Sequence, residues 1–175
     1  MTYTIDDGIP EAELDNWLRN ALEKYGKYEN GGVDFTNDDK APIVMCTVRC
    51  GDEILIVKRA YGLADAEGYW STINGFIDTI GKSVRDVAQQ ELKEELDLDV
   101  EVDAIKVRKS YTLRNPKEIR AYIVFPCLIE LDARPDIKLD REHTEYTWIK
   151  RPELENYHIL DDLLCAVDKA LGLTK

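Results

Sequence analysis

An α+β fold, with a β-sheet flanked by helices, is predicted by three features of this 175-residue chain. Apolar residues recur at helical spacing between Val84 and Leu96. The runs Pro42–Cys50 and Glu53–Arg59 read as two strands joined at Gly51-Asp52. Amphipathic helical patterns lie near both ends of the chain.

Taken in order, Leu14, Trp17, Leu18, Ala21, Leu22 and Tyr25 follow a helical period after Pro10, which predicts a helix covering one side of the core. Trp17 and Tyr25 are also the aromatic type that anchors interfaces, so a homodimer contact is the alternative use of this face. Gly31-Gly32 through Asp39 reads as a polar connector, too short to separate two domains. The organisation expected is therefore a helix and connector, residues 1–40, packed on a domain of residues 41–175. After the hairpin, a loop with Tyr61 and Tyr69-Trp70 leads through Ser71-Thr72-Ile73-Asn74 to Gly75. Val100–Val107 and Ile119–Leu131 predict further strands, separated by Arg114-Asn115-Pro116-Lys117. Glu142 to Trp148 predicts an acidic loop ahead of a tryptophan-bearing strand, followed by Pro152-Glu153-Leu154. Ile159, Leu163, Ala166, Val167 and Ala170, stopped by Gly172, predict a C-terminal packing helix.

The middle helix carries the chemistry. Ser83 is its N-cap candidate, and Asp86 three residues on completes a capping-box-like start. Val84, Val87, Ala88, Leu92 and Leu96 define one apolar arc. At roughly 100° per residue, Glu91 and Glu95 point into that arc and Glu94 sits at its edge. A solvated acidic face would lie opposite the apolar residues, and Lys93 could support it by local pairing. Carboxylates on a half-buried face instead repel one another and resist ionising until a cation joins them. A hard divalent ion such as Mg²⁺, which takes oxygen ligands and keeps waters, fits that need.

Composition narrows the class. The length suits a single core. The net charge of −12 argues against a nucleic-acid surface, which needs a basic stripe, but not against a small anionic substrate. The sequence shows neither a positively charged leader nor a segment long enough to span a membrane, so cytoplasmic residence is expected. Cys46 and Cys50 are too far apart along an extended strand for a disulfide, and with two histidines no zinc spacing emerges, so Cys46, Cys50, Cys127 and Cys165 read as free thiols.

The run from Gly75 through Gln90-Glu91-Leu92-Lys93-Glu94-Glu95 to Leu98 resembles the Nudix hydrolase box, whose pattern is G-x5-E-x7-R-E-U-x-E-E-x-G-U with U bulky and aliphatic. The opening glycine, the Glu-Leu-x-Glu-Glu core and the final aliphatic position match. One extra residue lies between Gly75 and Lys82. Lys82 replaces the first glutamate, Gln90 the arginine, and Asp97 the late glycine. In the family that glutamate and arginine form a supporting pair, so a Lys82/Gln90 contact is expected in its place. Asn74 departs mildly from the usual glycine-rich turn. The likeness extends over about residues 41–172.

The resemblance implies an α/β/α sandwich with a mixed β-sheet flanked by helices. It implies a metal-dependent diphosphatase acting on a small-molecule phosphoanhydride, with neither nucleic acid nor membrane as partner. Glu91, Glu94, Glu95 and the Gly75 carbonyl are the implied metal ligands, for Mg²⁺ or alternatively Mn²⁺. Glu91, Glu94 and Glu142 are the implied catalytic residues, with His143 and Glu145 as rivals to Glu142 for general base. Asp78 falls on an additional acidic position of the family. Arg59, Arg114 and Arg120 suit phosphate oxygens, and Tyr61, Tyr69 and Trp70 suit base stacking. The substrate classes implied are nucleoside triphosphates, nucleotide sugars and dinucleotides. The altered Lys82 and Gln90 leave a second reading, a nucleotide-binding or regulatory module with little turnover.

Overall fold

The computed structural model describes residues 4–63, 66–114, 120–160 and 162–173. In chain order these form β1 (Thr4–Asp7), α1 (Leu14–Lys24), β2 (Lys40–Cys50), β3 (Glu53–Arg59), β4 (Trp70–Ser71), β5 (Ile73–Phe76), α2 (Val84–Leu96), β6 (Lys106–Val107), β7 (Tyr111–Arg114), β8 (Ala121–Leu131), β9 (His143–Lys150) and α3 (Leu163–Leu171). All the strands join one sheet. At its centre β2 and β8 run parallel, from Lys40 opposite Ala121 to Cys50 opposite Leu131. Both are buried along most of their length, which is why they read as apolar runs. The other ladders are antiparallel, so the sheet is mixed, as expected.

Strand alternation sends successive side chains to opposite faces. Val44, Cys46 and Val48 meet Val84, Ala88, Leu92 and Leu96 of α2, with Leu14 and Leu18 of α1 in the same core. Ile43 and Met45 face the other way and pack with Leu163, Ala166 and Val167 of α3. Helices thus cover both faces of the sheet. No helix among the described residues is long and apolar enough to cross a membrane.

The start of α2 follows the sequence. Ser83 Oγ accepts from the Asp86 amide at 3.1 Å, and Asp86 Oδ2 accepts from the Ser83 amide at 2.8 Å. Its end is a left-handed residue, Asp97 at φ 52°, with the Leu98 amide reaching back to the Leu92 carbonyl at 3.2 Å.

Four expectations are corrected. Val100–Val107 is not a strand: Val102–Ala104 is one 3-10 turn, and only Lys106–Val107 pairs. The Val100 and Ile105 carbonyls are taken by Gln89 Nε2 at 2.7 Å and Arg85 Nε at 3.0 Å from α2, so no ladder forms there. Arg114 ends β7, a strand that the sequence reading missed along with its partner β1. The Asn115-Pro116-Lys117 part of the expected separator, and Ile119, lie outside the described residues. The connector is not purely polar either. Val33 and Phe35 are buried in the core, and the Val33 amide donates to the Asp78 carbonyl at 2.9 Å. Ile159 precedes α3 and bridges to Trp70.

Candidate active site

A cleft of about 510 Å³ opens where β5, α2 and the loop before β9 converge. Glu91, Glu94 and Glu95 reach it from α2, Gly75 from β5, Arg59 from the end of β3, and Glu142 from the loop. Helical spacing puts Glu91 and Glu95 on the same side of α2 one turn apart. The close approach of helix to strand depends on Gly75. A Cβ at that position would stand 2.1 Å from Glu91 Oε1 and 2.6 Å from its Cγ, so only glycine leaves room for this carboxylate.

The three carboxylates differ in burial. Glu94 is exposed, Glu91 is half-buried and Glu95 is 6% exposed. Burial pushes Glu91 up to about 7, with the Glu94 charge adding to it. Burial likewise pushes Glu95 up to about 9, helped by the negative charges of Glu91, Asp140 and Glu142. Each carboxylate thus disfavours the charge of the other, and a bound cation would relieve both.

The loop is fixed by backbone contacts at both ends. The Asp140 amide donates to the Glu95 carbonyl at 3.2 Å, and the Ala60 amide to the Glu142 carbonyl at 2.8 Å. Asp140 Oδ1 accepts from the Glu142 amide at 2.9 Å, an Asx turn that aims the loop at the cleft. His143 stands behind this wall, with Nδ1 at 3.3 Å from Asp140 Oδ1 and its side chain 1% exposed. Burial lowers its pKa, and the ring has no opening to the cleft, which removes it as a rival for general base. Glu145 is turned outward and pairs with Lys58 at 2.7 Å.

The Lys82–Gln90 contact expected from the box is present, with Lys82 Nζ donating to Gln90 Oε1. Gln90 Nε2 donates onward to Glu94 Oε1 at 2.8 Å. Lys82, Gln90 and Asp78 all line the cleft.

Other candidates for substrate contact lie elsewhere. Tyr61 is 77% exposed outside the cleft. Trp70 packs edge-on against Tyr157 at 5.2 Å, and Tyr69 against His158 at 3.8 Å. Arg120 donates to the Thr36 carbonyl at 3.0 Å, and Arg114 is at the exposed end of β7. Asn30, Asn74, Phe76 and Asp140 line the cleft although sequence reasoning passed over them. Phe76, adjacent to the box glycine, and Asp140, two residues before Glu142, carried a signal by position alone.

The donor set fits a hard divalent cation. It is all oxygen, Glu95 Oε2 is buried without a hydrogen-bond partner, and Gly75 leaves the cradle open. Among the described residues no three His, Cys, Asp or Glu side chains are grouped closely enough to hold a metal ion by themselves.

Similar folds are found among solved structures. A MutT protein from Methanosarcina mazei Go1 has a TM-score of 0.64 at 16% identity, covering 79% of this chain and 98% of that one. The dihydroneopterin triphosphate pyrophosphohydrolase of E. coli gives 0.58 at 16%, covering 76% and 96%. A bifunctional NMN adenylyltransferase/ADP ribose pyrophosphatase from Francisella tularensis, complexed with AMP and a manganese ion, gives 0.62 at 18%. That likeness covers 93% of this chain and 47% of the other. No curated protein matches the chain. The family model for the NUDIX domain matches residues 39–165, the stretch that supplies every strand of the sheet but β1, the glutamate helix and most of the cleft, and this chain therefore belongs to the NUDIX domain family.

Proposed function

We propose that the protein cleaves the diphosphate linkage of a nucleoside diphosphate derivative, such as a nucleoside triphosphate or nucleotide sugar, using Mg²⁺ or alternatively Mn²⁺. The observation that carries this reading is the placement of Glu91, Glu95 and Gly75 together on one wall of an open polar cleft, with Glu91 half-buried and Glu95 6% exposed. Two such carboxylates held together without a cation would be costly, and a cation relieves both the burial and the mutual repulsion. When bound, a divalent ion neutralises the diphosphate and makes a bound water more acidic.

The residues of the chain hold and orient. Glu91, Glu95 and the Gly75 carbonyl would hold the ion, with Glu94 as a further ligand or through water. Glu142, on a loop fixed by Asp140 and Ala60, accepts the proton of the attacking water. Arg59 pairs with phosphate oxygens at the cleft wall. Lys82 adds positive charge beside Glu94 and partly offsets the carboxylates for an anionic substrate. The Francisella protein, of which 47% is covered, is complexed with AMP and a manganese ion, which agrees with a nucleotide ligand and a divalent ion.

The test is product analysis across nucleoside triphosphates, nucleotide sugars and dinucleoside polyphosphates, each with Mg²⁺, Mn²⁺ or chelator. Metal-dependent cleavage of one class, reduced by orders of magnitude in Glu95→Gln, is expected. Silence across the panel with metal and nucleotide still binding would replace this reading with a nucleotide-binding module.

A further inference from the structure

The segment ahead of the family domain reaches into the cleft. The Tyr28 amide donates to the Gly32 carbonyl and the Gly31 amide to the Tyr28 carbonyl, both at 2.9 Å, closing a tight turn. The turn presses on the cleft wall: a Cβ on Gly32 would stand 2.5 Å from Asp78 Oδ2 and 2.9 Å from its Cγ. Asn30, at the tip, lines the cleft together with Glu91 and Glu94. Its Oδ1 accepts from the Gly32 amide at 3.0 Å, which fixes the carboxamide and leaves Nδ2 to donate.

The same segment builds a support for one aromatic ring. Phe35 packs beneath Phe76 with centroids 6.3 Å apart and planes at 28°. Trp17 lies beyond Phe35 at 6.1 Å and 30°. Phe76 itself lines the cleft and is 46% exposed. A large apolar ring, held from behind and open to a polar cleft on its other side, is a preformed stacking surface. Asn74 lines the same cleft two residues before it on β5. Asn74 Nδ2 donates to the Thr72 carbonyl at 3.1 Å, which leaves Oδ1 as an acceptor.

We propose that Phe76, Asn30 and Asn74 form a base subsite next to the diphosphate site. A planar heteroaromatic base stacks on Phe76, and the two carboxamides meet its hydrogen-bonding edge with one donor and one acceptor. The proposal rests on the diphosphatase reading and assigns recognition of the base in its nucleoside substrate to Phe76, Asn30 and Asn74. Specificity then comes from residues 30–35 and the aromatic stack, and the box glutamates serve any diphosphate.

Calorimetry on the full chain with Mg²⁺, titrating AMP against ribose 5-phosphate, tests this. Stacking on an aromatic ring is worth about 5- to 150-fold in affinity, so AMP is expected to bind tighter by a factor in that range. Phe76→Leu, which keeps an apolar contact with Phe35 but has no aromatic face, should remove most of that gap and leave ribose 5-phosphate affinity unchanged. Phe76→Tyr should preserve the gap, and Asn30→Ala should narrow it. Equal affinity of the two probes for the unaltered protein, or a gap that survives Phe76→Leu, overturns the subsite while the diphosphatase reading stands. Failure of both probes to bind overturns the diphosphatase reading and the subsite with it.

Discussion

His143 and Glu95 face each other across 3.7 Å, from Nε2 to Oε2, with both side chains almost fully buried and neither atom engaged in a hydrogen bond. The other ring nitrogen of His143 faces Asp140, so one imidazole stands between the glutamate of α2 and the acidic loop. Groups behind a metal ligand fix its rotamer, and losing one typically costs roughly 10- to 100-fold in metal affinity. His143→Ala should weaken Mg²⁺ binding by about that factor in calorimetry, while His143→Gln, which keeps a polar side chain against Glu95, should recover part of it. Unchanged affinity in His143→Ala would show that the contact plays no part in holding Glu95.

Stability of the metal-free protein should fall as pH rises. Glu91 is raised from 4.5 to about 7 and Glu95 from 4.5 to about 9, burial being the first cause in both. Groups raised on folding bind protons more tightly in the folded chain. Their contribution is therefore fully present below the unfolded value of 4.5 and is lost as pH climbs through about 7 and then about 9. Thermal melts should show Tm dropping over that window, by less in the Glu91→Gln, Glu95→Gln double variant. Mg²⁺ should raise Tm most at the alkaline end. Identical pH slopes for the double variant and the unaltered protein would contradict the assignment.

The contact between Lys82 and Gln90 reverses the polarity of the family's glutamate–arginine pair and passes its hydrogen bond on to Glu94. Gln90→Arg alone sets two cations side by side, and Lys82→Glu alone adds a carboxylate to a cleft already rich in them. Each single change should reduce turnover. The double change restores opposite charges and should exceed the sum of the singles, with a coupling of about 0.5–3 kcal/mol in a kinetic cycle. Additive effects would mean that the altered pair does not tune the site.

Asp97 occupies the position where the box has glycine, at φ 52° and ψ 32°. Its carboxylate pairs with Lys93 at 2.6 Å and Lys138 at 2.9 Å, and those two ammonium groups hold its pKa down, to about 2. Asp97→Gly relieves the left-handed backbone but gives up exposed ion pairs, so urea denaturation should show little net change. Asp97→Val, whose branched side chain resists positive φ, should cost about 1–3 kcal/mol. Equal stability of the two variants would remove the backbone argument.

The helices and the hairpin were legible because local spacing decides them. Ser83, Asp86 and the apolar arc of α2 act within a few residues, and Gly51, at φ 62°, closes a turn between adjacent strands. The same period put Glu91 and Glu95 on the buried side, so the core of the candidate site was visible in the chain alone. Val100–Val107 misled because its alternating pattern is genuine, while Gln89 and Arg85 claim the carbonyls that a ladder would need. β1 could not be read from Thr4–Asp7, an exposed and acidic run held by its pairing with distant β7.

By itself the sequence determined the glutamate helix, the opening glycine, the turn that joins β2 to β3 and the packing helices near both ends, since periodicity and capping are properties of neighbouring residues. Only the tertiary structure decided what surrounds those glutamates. It brought Asn30, Phe76 and Asp140 to the cleft, buried His143 behind Glu95, and left Tyr61, Trp70 and Arg120 outside it. Which loop side chains meet a helix face depends on sheet register and on where distant segments cross, as at Gly32 against Asp78, and no local pattern encodes that.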